Sequence, residues 1–121
     1  MGDFKYTPDH DWVSLEGDVA TLGITNFAKE ALGDIVFLEL PTVGAKIVNG
    51  DAVGVIESIK SVIDLYTPFD GEVIEVNEVA TNDPSICNKE SNIWLFKVKV
   101  TNVEFWNKLM NKEDYQIFCN K

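Results

Sequence analysis

The chain has no arginine, one histidine, two cysteines and no long hydrophobic run, and each shortage excludes a class of function. Its ten basic residues are all lysines and stand against twenty acidic residues, for a formal net charge of −10. A nucleic-acid-binding protein needs a basic surface, so we expect no nucleic-acid partner. An anionic membrane surface is excluded on the same ground, and no segment approaches the roughly 20 apolar residues that span a bilayer.

The scarcity of cysteine and histidine limits the chemistry further. Cys87 and Cys119 lie far apart, so one disulfide is possible, but we expect free thiols in a reducing compartment. His10 alone provides neither a zinc site nor a hydrolase triad, and we predict no metal and no catalytic residues. The N-terminal residues resemble neither a signal peptide nor a presequence. We therefore expect the bacterial cytoplasm, or the mitochondrial matrix if a transit peptide has been removed.

What the sequence does contain is the pattern of one mainly β domain spanning residues 1–121. The length suits a single core, and apolar residues alternate with others over 35–40 and 93–100. In the first run, this pattern places Val36, Leu38 and Leu40 on one face. Residues 25–32 predict a short helix that ends at Gly33, and 101–121 predict C-terminal helices that begin with a Thr101–Glu104 capping box.

One lysine has a distinctive setting. Two apolar strands flank Ser58 and Ser61, so Lys60 is predicted near the tip of a hairpin over 54–66. Lys60 is the only basic residue between Lys46 and Lys89, an interval that holds eight acidic residues. This acidic surrounding favours a charged ammonium, so chemistry at Lys60 would require a separate enzyme to modify it. On spacing alone, an ordinary solvated surface lysine remains an alternative.

The segments around this lysine resemble those of a known family. Residues 54–61 have the sequence GVIESIKS, followed by DLYTP at 64–68 and GEV at 71–73, as in the lipoyl-lysine hairpin of glycine cleavage system H proteins. The resemblance continues in KYTP at 5–8, HDWV at 10–13, GDVATLGIT at 17–25 and ALGDIVF at 31–37. It covers most of residues 4–100 and returns at DY, 114–115. It implies a barrel-sandwich hybrid of the lipoyl/biotinyl type, with a lipoyl-binding core over 18–100.

The resemblance also implies a function. Lipoate would be held in amide linkage as N6-lipoyllysine on Lys60, and the protein would be a carrier, not an enzyme. The arm would take an aminomethyl group from a pyridoxal-phosphate glycine decarboxylase and offer it to a tetrahydrofolate-dependent aminomethyltransferase. Dihydrolipoyl dehydrogenase would then reoxidise the arm, and a lipoate ligase or lipoyl transferase would attach it. We expect the carrier to be a monomer.

Further residues follow from the same resemblance. Glu57, Ser58 and Gly71 match the framework of the hairpin. Asp9, Asp11 and Asp64 match positions of a cleft in which the loaded arm is shielded from water, because a protonated amine held there would favour acidic neighbours.

Three segments depart from the family pattern. Residues 88–93 form a shorter loop without the usual Pro-Tyr-Gly, residues 61–63 carry Ser-Val-Ile where small residues are usual, and Asp11 replaces a Glu. Two other functions stay open at this point. One is an H-like lipoyl relay or donor for other lipoate-dependent complexes, and the other is an unmodified binding domain. A biotin carrier fits less well, because Ile59 and Ser61 stand where biotinyl hairpins favour Met.

Overall fold

The computed structural model describes residues 4–120, which form two antiparallel sheets and several short helices. The strands are β1 Lys5–Tyr6, β2 Asp11–Glu16, β3 Val19–Ile24, β4 Ile35–Glu39, β5 Lys46–Ile47, β6 Ala52–Ser58, β7 Val62–Tyr66, β8 Gly71–Val76 and β9 Trp94–Val100. The α-helices are α1 Asn26–Leu32, α2 Glu78–Asn82, α3 Ile86–Lys89 and α4 Lys112–Cys119, and a 3-10 helix spans Val103–Lys108. The larger sheet has the order β1-β2-β3-β9-β8-β5, and the smaller has the order β4-β6-β7.

The predicted fold class is confirmed, because the chain is mainly β and its two sheets are not closed into a barrel. Both sheets contribute to one core: Leu22 and Val98 come from the larger sheet, and Ile56 and Leu65 come from the smaller one. All four side chains are buried, as expected where the apolar faces of two sheets meet. Among the helices of residues 4–120, none is long and apolar enough to cross a membrane.

The helix predicted before Gly33 is confirmed as α1. Thr25 precedes it with extended backbone, and its hydroxyl accepts a hydrogen bond from the Ala28 amide, which would otherwise lack a partner in the first turn. Gly33 ends the helix with a φ of +77°, a conformation that residues with a Cβ rarely adopt. The chain then turns directly into β4.

The predicted alternation along β4 is wrong. Ile35 and Leu38 are buried, whereas Val36 and Phe37 are 53% and 47% exposed. The cause is an irregularity in the pairing of β4 with β6 between Ile35 and Phe37. An inserted residue of this kind breaks the two-residue period, so the apolar positions no longer map onto one face. As a result, Phe37 lies on the outer surface beside the β6–β7 hairpin.

The C-terminal segment begins differently from the prediction. Asn102, not Thr101, caps the 3-10 helix, and its side-chain oxygen accepts from the Glu104 amide at 2.7 Å. Thr101 still continues the β-structure, because its amide donates to the Asp70 carbonyl. The last predicted helix is present as α4, with Tyr115 buried. The short helices α2 and α3 lie in a part of the chain that was expected to be β-structure.

Candidate functional site

Lys60 lies at the tip of the hairpin formed by β6 and β7, where the sequence places it. The turn is fixed by Ser58, a buried residue whose hydroxyl oxygen accepts from the amides of Lys60 and Ser61 at 3.2 and 3.1 Å. The same hydroxyl donates to the Ser61 carbonyl, to which the Ser58 amide also donates at 2.8 Å. One side chain thus satisfies the polar groups of a turn that has neither Asn-Gly nor Asp-Gly.

A second support comes from the connection between α1 and β4. The Ile59 amide donates to the Asp34 carbonyl at 3.0 Å, which ties the tip to this connection. A Cβ at Gly33 would lie 3.5 Å from Cε of Lys60, so the aliphatic part of the lysine side chain extends over this glycine. The lysine itself is exposed. The backbone of Gly33 and Asp34 lies beneath it and supports the tip.

The connection is held in turn by a residue that the sequence analysis did not select. Asn88 of α3 donates from Nδ2 to the Gly33 carbonyl at 2.8 Å, and its Oδ1 accepts from the Ile35 amide at 2.9 Å. These two bonds bracket Asp34, the residue that accepts from the Ile59 amide. The helix that carries Asn88 is anchored by Cys87, whose thiol is fully buried and has a pKa raised by that burial to about 11.

The two other framework residues lie in different places. Glu57 is half-buried in β6, between Phe37 of β4 and Val62 of β7, so these three side chains share the outer face of the small sheet. Gly71 is the first residue of β8 in the other sheet, opposite Val100. A Cβ at Gly71 would lie 2.3 Å from the Lys99 carbonyl oxygen, so only glycine lets the backbones approach this closely.

The three acidic candidates for the cleft are only partly brought together. Asp9 lines a surface cavity of about 230 Å³ together with Tyr66 of β7. The Tyr66 hydroxyl lies 3.5 Å from Oδ2 of Asp64, which is also in β7 and follows Lys60 by four residues. Asp11 is buried, and neither Asp11 nor Asp64 is among the residues that line this cavity.

Thr7 connects Asp9 with Asp11. Its hydroxyl oxygen accepts from the amides of both residues at 3.2 Å and donates to Oδ2 of Asp11 at 3.3 Å. The pKa of Asp11 is raised to about 8, mainly by burial and in smaller part by the Asp9 carboxylate, while the hydrogen bond from Thr7 acts in the opposite direction. A buried carboxyl with this pKa is protonated at neutral pH, so at pH 7 it carries little charge.

The segment that carries these acids is held by the C-terminal helix. The Tyr115 hydroxyl lies 2.8 Å from Nδ1 of His10 and 3.0 Å from the Thr25 hydroxyl, which donates to the His10 carbonyl. His10 has a φ of +69°, and its ring stacks on Phe27 of α1. Burial lowers the pKa of His10, as suits a packing residue. Within residues 4–120, no group of three or more His, Cys, Asp or Glu could hold a metal ion.

Comparison with known proteins identifies the family. The model of the glycine cleavage H-protein family matches residues 4–121. The chain is 44% identical over 117 residues to the glycine cleavage system H protein of Thermotoga maritima, which covers 95% of this chain and 94% of the relative. It is 48% identical to the corresponding protein of Burkholderia cenocepacia, with 93% and 91% coverage. The chain belongs to the glycine cleavage H-protein family.

A solved structure supports the same assignment. The crystal structure of a glycine cleavage system H protein from Mycobacterium marinum superimposes with a TM-score of 0.88 at 36% identity, over 100% of this chain and 99% of that one. Members of this family carry lipoate and work in the glycine cleavage system. The protein is therefore a lipoyl shuttle of glycine cleavage, and it is a carrier rather than a catalyst.

Proposed function

We propose that Lys60 is the residue to which lipoate is attached and that the β6–β7 hairpin presents it to each enzyme in turn. The observation that carries this proposal is the exposed lysine on a turn that Ser58 and Asp34 fix from both sides. Attachment requires an activated lipoyl donor, such as an acyl adenylate. The neutral Nζ attacks the acyl carbon, an amide bond forms, the bond to the leaving group breaks, and Nζ releases a proton.

The framework residues have separate roles in this proposal. Ser58 shapes the turn, Gly71 lets β8 and β9 approach closely, and Glu57 offers a carboxylate on the face next to the tip. When attached, the lipoyl group supplies a disulfide that can be reduced and reoxidised and a sulfur that can hold a small amine unit. The chain supplies rigid presentation, which keeps this group at high effective concentration near each partner.

The proposed partners are those of the glycine cleavage system. They are the pyridoxal-phosphate glycine decarboxylase, the tetrahydrofolate-dependent aminomethyltransferase, dihydrolipoyl dehydrogenase and a lipoate ligase or lipoyl transferase. Family membership supports the set, and the net charge of −10 favours basic docking surfaces on those enzymes. The bacterial origin of the relatives above supports the bacterial cytoplasm as the compartment. Cell fractionation with an antibody to the chain would test that location.

Lipoylation of Lys60 is tested by mass. The full chain is expressed in its native cells, and its intact mass is measured together with a peptide map. We expect a lipoyl increment on the peptide that contains Lys60, its loss in Lys60→Arg, and its retention in the control Lys46→Arg, which replaces an exposed lysine of β5. An unmodified Lys60 in cells that lipoylate other proteins would overturn the proposal and leave an unmodified binding domain.

We further propose that Asp9, Asp11 and Asp64 form the site that shelters the loaded arm. Asp9 lines the cavity beside Tyr66, and Asp64 lies next to it through its contact with the Tyr66 hydroxyl, so the two acids flank this tyrosine and would both attract a protonated amine. Asp11 supports this site from behind, because it shares the Thr7 hydroxyl with Asp9.

The shelter is tested by the lifetime of the loaded protein, measured as release of ammonia. Asp64→Asn removes a surface charge from the site and is expected to shorten the lifetime. Asp11→Asn is expected to do so more weakly, because the buried carboxyl is largely neutral at pH 7. Asp18→Asn, in the exposed turn between β2 and β3, serves as the control. Unchanged lifetimes in the first two variants would remove the proposal.

A further inference from the structure

We infer that Asn88 is a positioning residue for Lys60, although the two residues lie 28 positions apart and on different elements. The inference rests on the proposed function, because it concerns how the lysine is presented to the enzyme that attaches lipoate. It adds a residue from α3 to the site, from the segment in which this chain departs from the family pattern.

The first step is the contact between the tip and its support. The Ile59 amide donates to the Asp34 carbonyl at 3.0 Å, and this backbone hydrogen bond joins the residues between β6 and β7 to the connection between α1 and β4. Ile59 itself is 66% exposed, so little burial of its side chain helps to hold the tip. Since Ser58 fixes the turn only internally, the placement of the tip against the α1–β4 connection depends on where the Asp34 carbonyl lies.

The second step is what fixes that carbonyl. Asp34 lies between the end of α1 and the start of β4, next to the Ile35–Ser58 pair at the end of the β4–β6 ladder. Asn88 makes two bonds here, to the Gly33 carbonyl at 2.8 Å and from the Ile35 amide at 2.9 Å. Because one planar amide group bridges both neighbours of Asp34, it fixes the peptide units on either side of this residue.

The third step is why another residue would not replace Asn88. Its side chain must donate and accept at the same time, which the amide of Asn does and the carboxylate of Asp does not. Its helix is anchored independently, since Cys87 is buried in the core beside it. Asn88 itself is exposed, so losing its side chain leaves no cavity in the core. The expected defect is therefore a local loosening of the tip.

The test compares Asn88→Ala with two control variants as substrates of the lipoate-attaching enzyme. Asn82→Ala replaces an exposed asparagine of α2 for which no side-chain hydrogen bond is found within residues 4–120. Asn111→Ala removes the hydrogen bond that caps α4, which the Asp114 amide donates to the Asn111 side chain at 2.8 Å. This variant controls for a general loss of stability that arises far from the hairpin. Hydrogen exchange of the Ile59 amide and kinetics of lipoylation are measured on all three and on the wild type.

For Asn88→Ala, we expect exchange at Ile59 to accelerate about fivefold or more, the change in a local equilibrium that loss of a neutral hydrogen bond produces. Exchange at the Val73 amide, which lies in the larger sheet and donates to the Ala45 carbonyl, should not change. The KM for the carrier should rise by the factor by which the correctly presented fraction falls, about twofold when half of the molecules have an open tip, while kcat stays the same. Both control variants should keep the wild-type KM.

Three results would overturn the inference. One is a wild-type KM in Asn88→Ala, the second is a raised KM without faster exchange at Ile59, and the third is an equal rise in Asn111→Ala. The first would show that Asn88 has no effect on presentation, the second that it acts by a route other than the tip, and the third that it acts through stability alone. By contrast, a wild-type chain that receives no lipoate on Lys60 would contradict the proposed function itself, so the two failures are distinguishable.

Discussion

At the scale of single residues, Asp11 has the most unusual ionisation. Its side chain is buried behind the loop that carries Asp9, and burial is the largest cause of a pKa of about 8 in place of 3.8. The Asp9 carboxylate adds to this effect, and the Thr7 hydroxyl reduces it through a hydrogen bond to the charged form. A carboxyl of this kind stabilises the fold when it is protonated and opposes it when it is charged.

The sign of the pH dependence follows directly. Between about pH 4 and pH 8 the folded chain keeps a proton on Asp11 that the unfolded chain releases, so the free energy of unfolding falls as the pH rises through this window. Asp11→Asn removes that dependence. We expect the variant to gain about 3–5 kcal/mol relative to the wild type between pH 5 and pH 9, since each pH unit up to the folded pKa is worth about 1.4 kcal/mol. The measurement is urea unfolding at both pH values.

The control for this prediction is Asp18→Asn, an exposed acid in the turn between β2 and β3. Its difference from the wild type should be the same at pH 5 and at pH 9. If Asp11→Asn behaves like this control, the carboxyl of Asp11 is charged in the folded protein at neutral pH, and the role of Asp11 as a largely neutral support of the cleft is wrong.

Residues differ in how far the sequence could predict their roles. The position of Lys60 at the tip was predictable because the turn lies between two apolar strands close in sequence, and the bonds of Ser58 that shape it join residues at most three positions apart. Asn88 was not, because its partners Gly33 and Ile35 are more than fifty positions away. A polar residue in a short helix carries no signal that says which distant backbone groups it will bridge.

At the scale of elements, local chemistry explains both the successes and the errors. Helix α1 was predictable from its cap at Thr25 and its end at Gly33, which act within a few residues. For strand β4 the regular alternation was predicted wrongly, since Leu38 is buried but Val36 is not, because the irregularity opposite β6 follows from pairing between strands and not from the strand's own sequence. The 3-10 helix was given the wrong cap, because Asn102 competes with Thr101 and the Thr101 amide is held by Asp70.

The framework of the hairpin also shows how elements cooperate. Gly71 follows Lys60 by eleven residues, yet it acts in the larger sheet, where its missing side chain lets β8 lie against β9. Glu57 acts beside the tip, on the outer face of the small sheet. Two residues that the family pattern groups together therefore serve different sheets, and the segment between them joins these sheets through Thr67 and Phe69, which are both buried.

At the scale of the whole molecule, the two ends of the described chain are tied together. The amides and carbonyls of Tyr6 and Met110 form a pair of hydrogen bonds, and the rings of Tyr6 and Tyr115 stack with centroids 4.4 Å apart. The Tyr115 hydroxyl adds contacts to His10 and Thr25. The C-terminal helix thus holds the turn that carries Asp9 and His10. We propose that residues 1–121 fold as one unit.

This proposal predicts a single cooperative unfolding transition, with coincident curves from tryptophan fluorescence and far-ultraviolet circular dichroism. Tyr115→Phe should lower the free energy of unfolding by about 1–2 kcal/mol, because His10 and Thr25 lose a buried partner, while the transition stays single. The matched control is Tyr66→Phe, whose exposed hydroxyl makes one long contact with Asp64, and its effect should stay within about 0.5 kcal/mol. If α4 instead unfolds in a separate, earlier transition, then Tyr115 does not couple it to the rest, and the turn that carries Asp9 and His10 must be held by β1 and β2 alone.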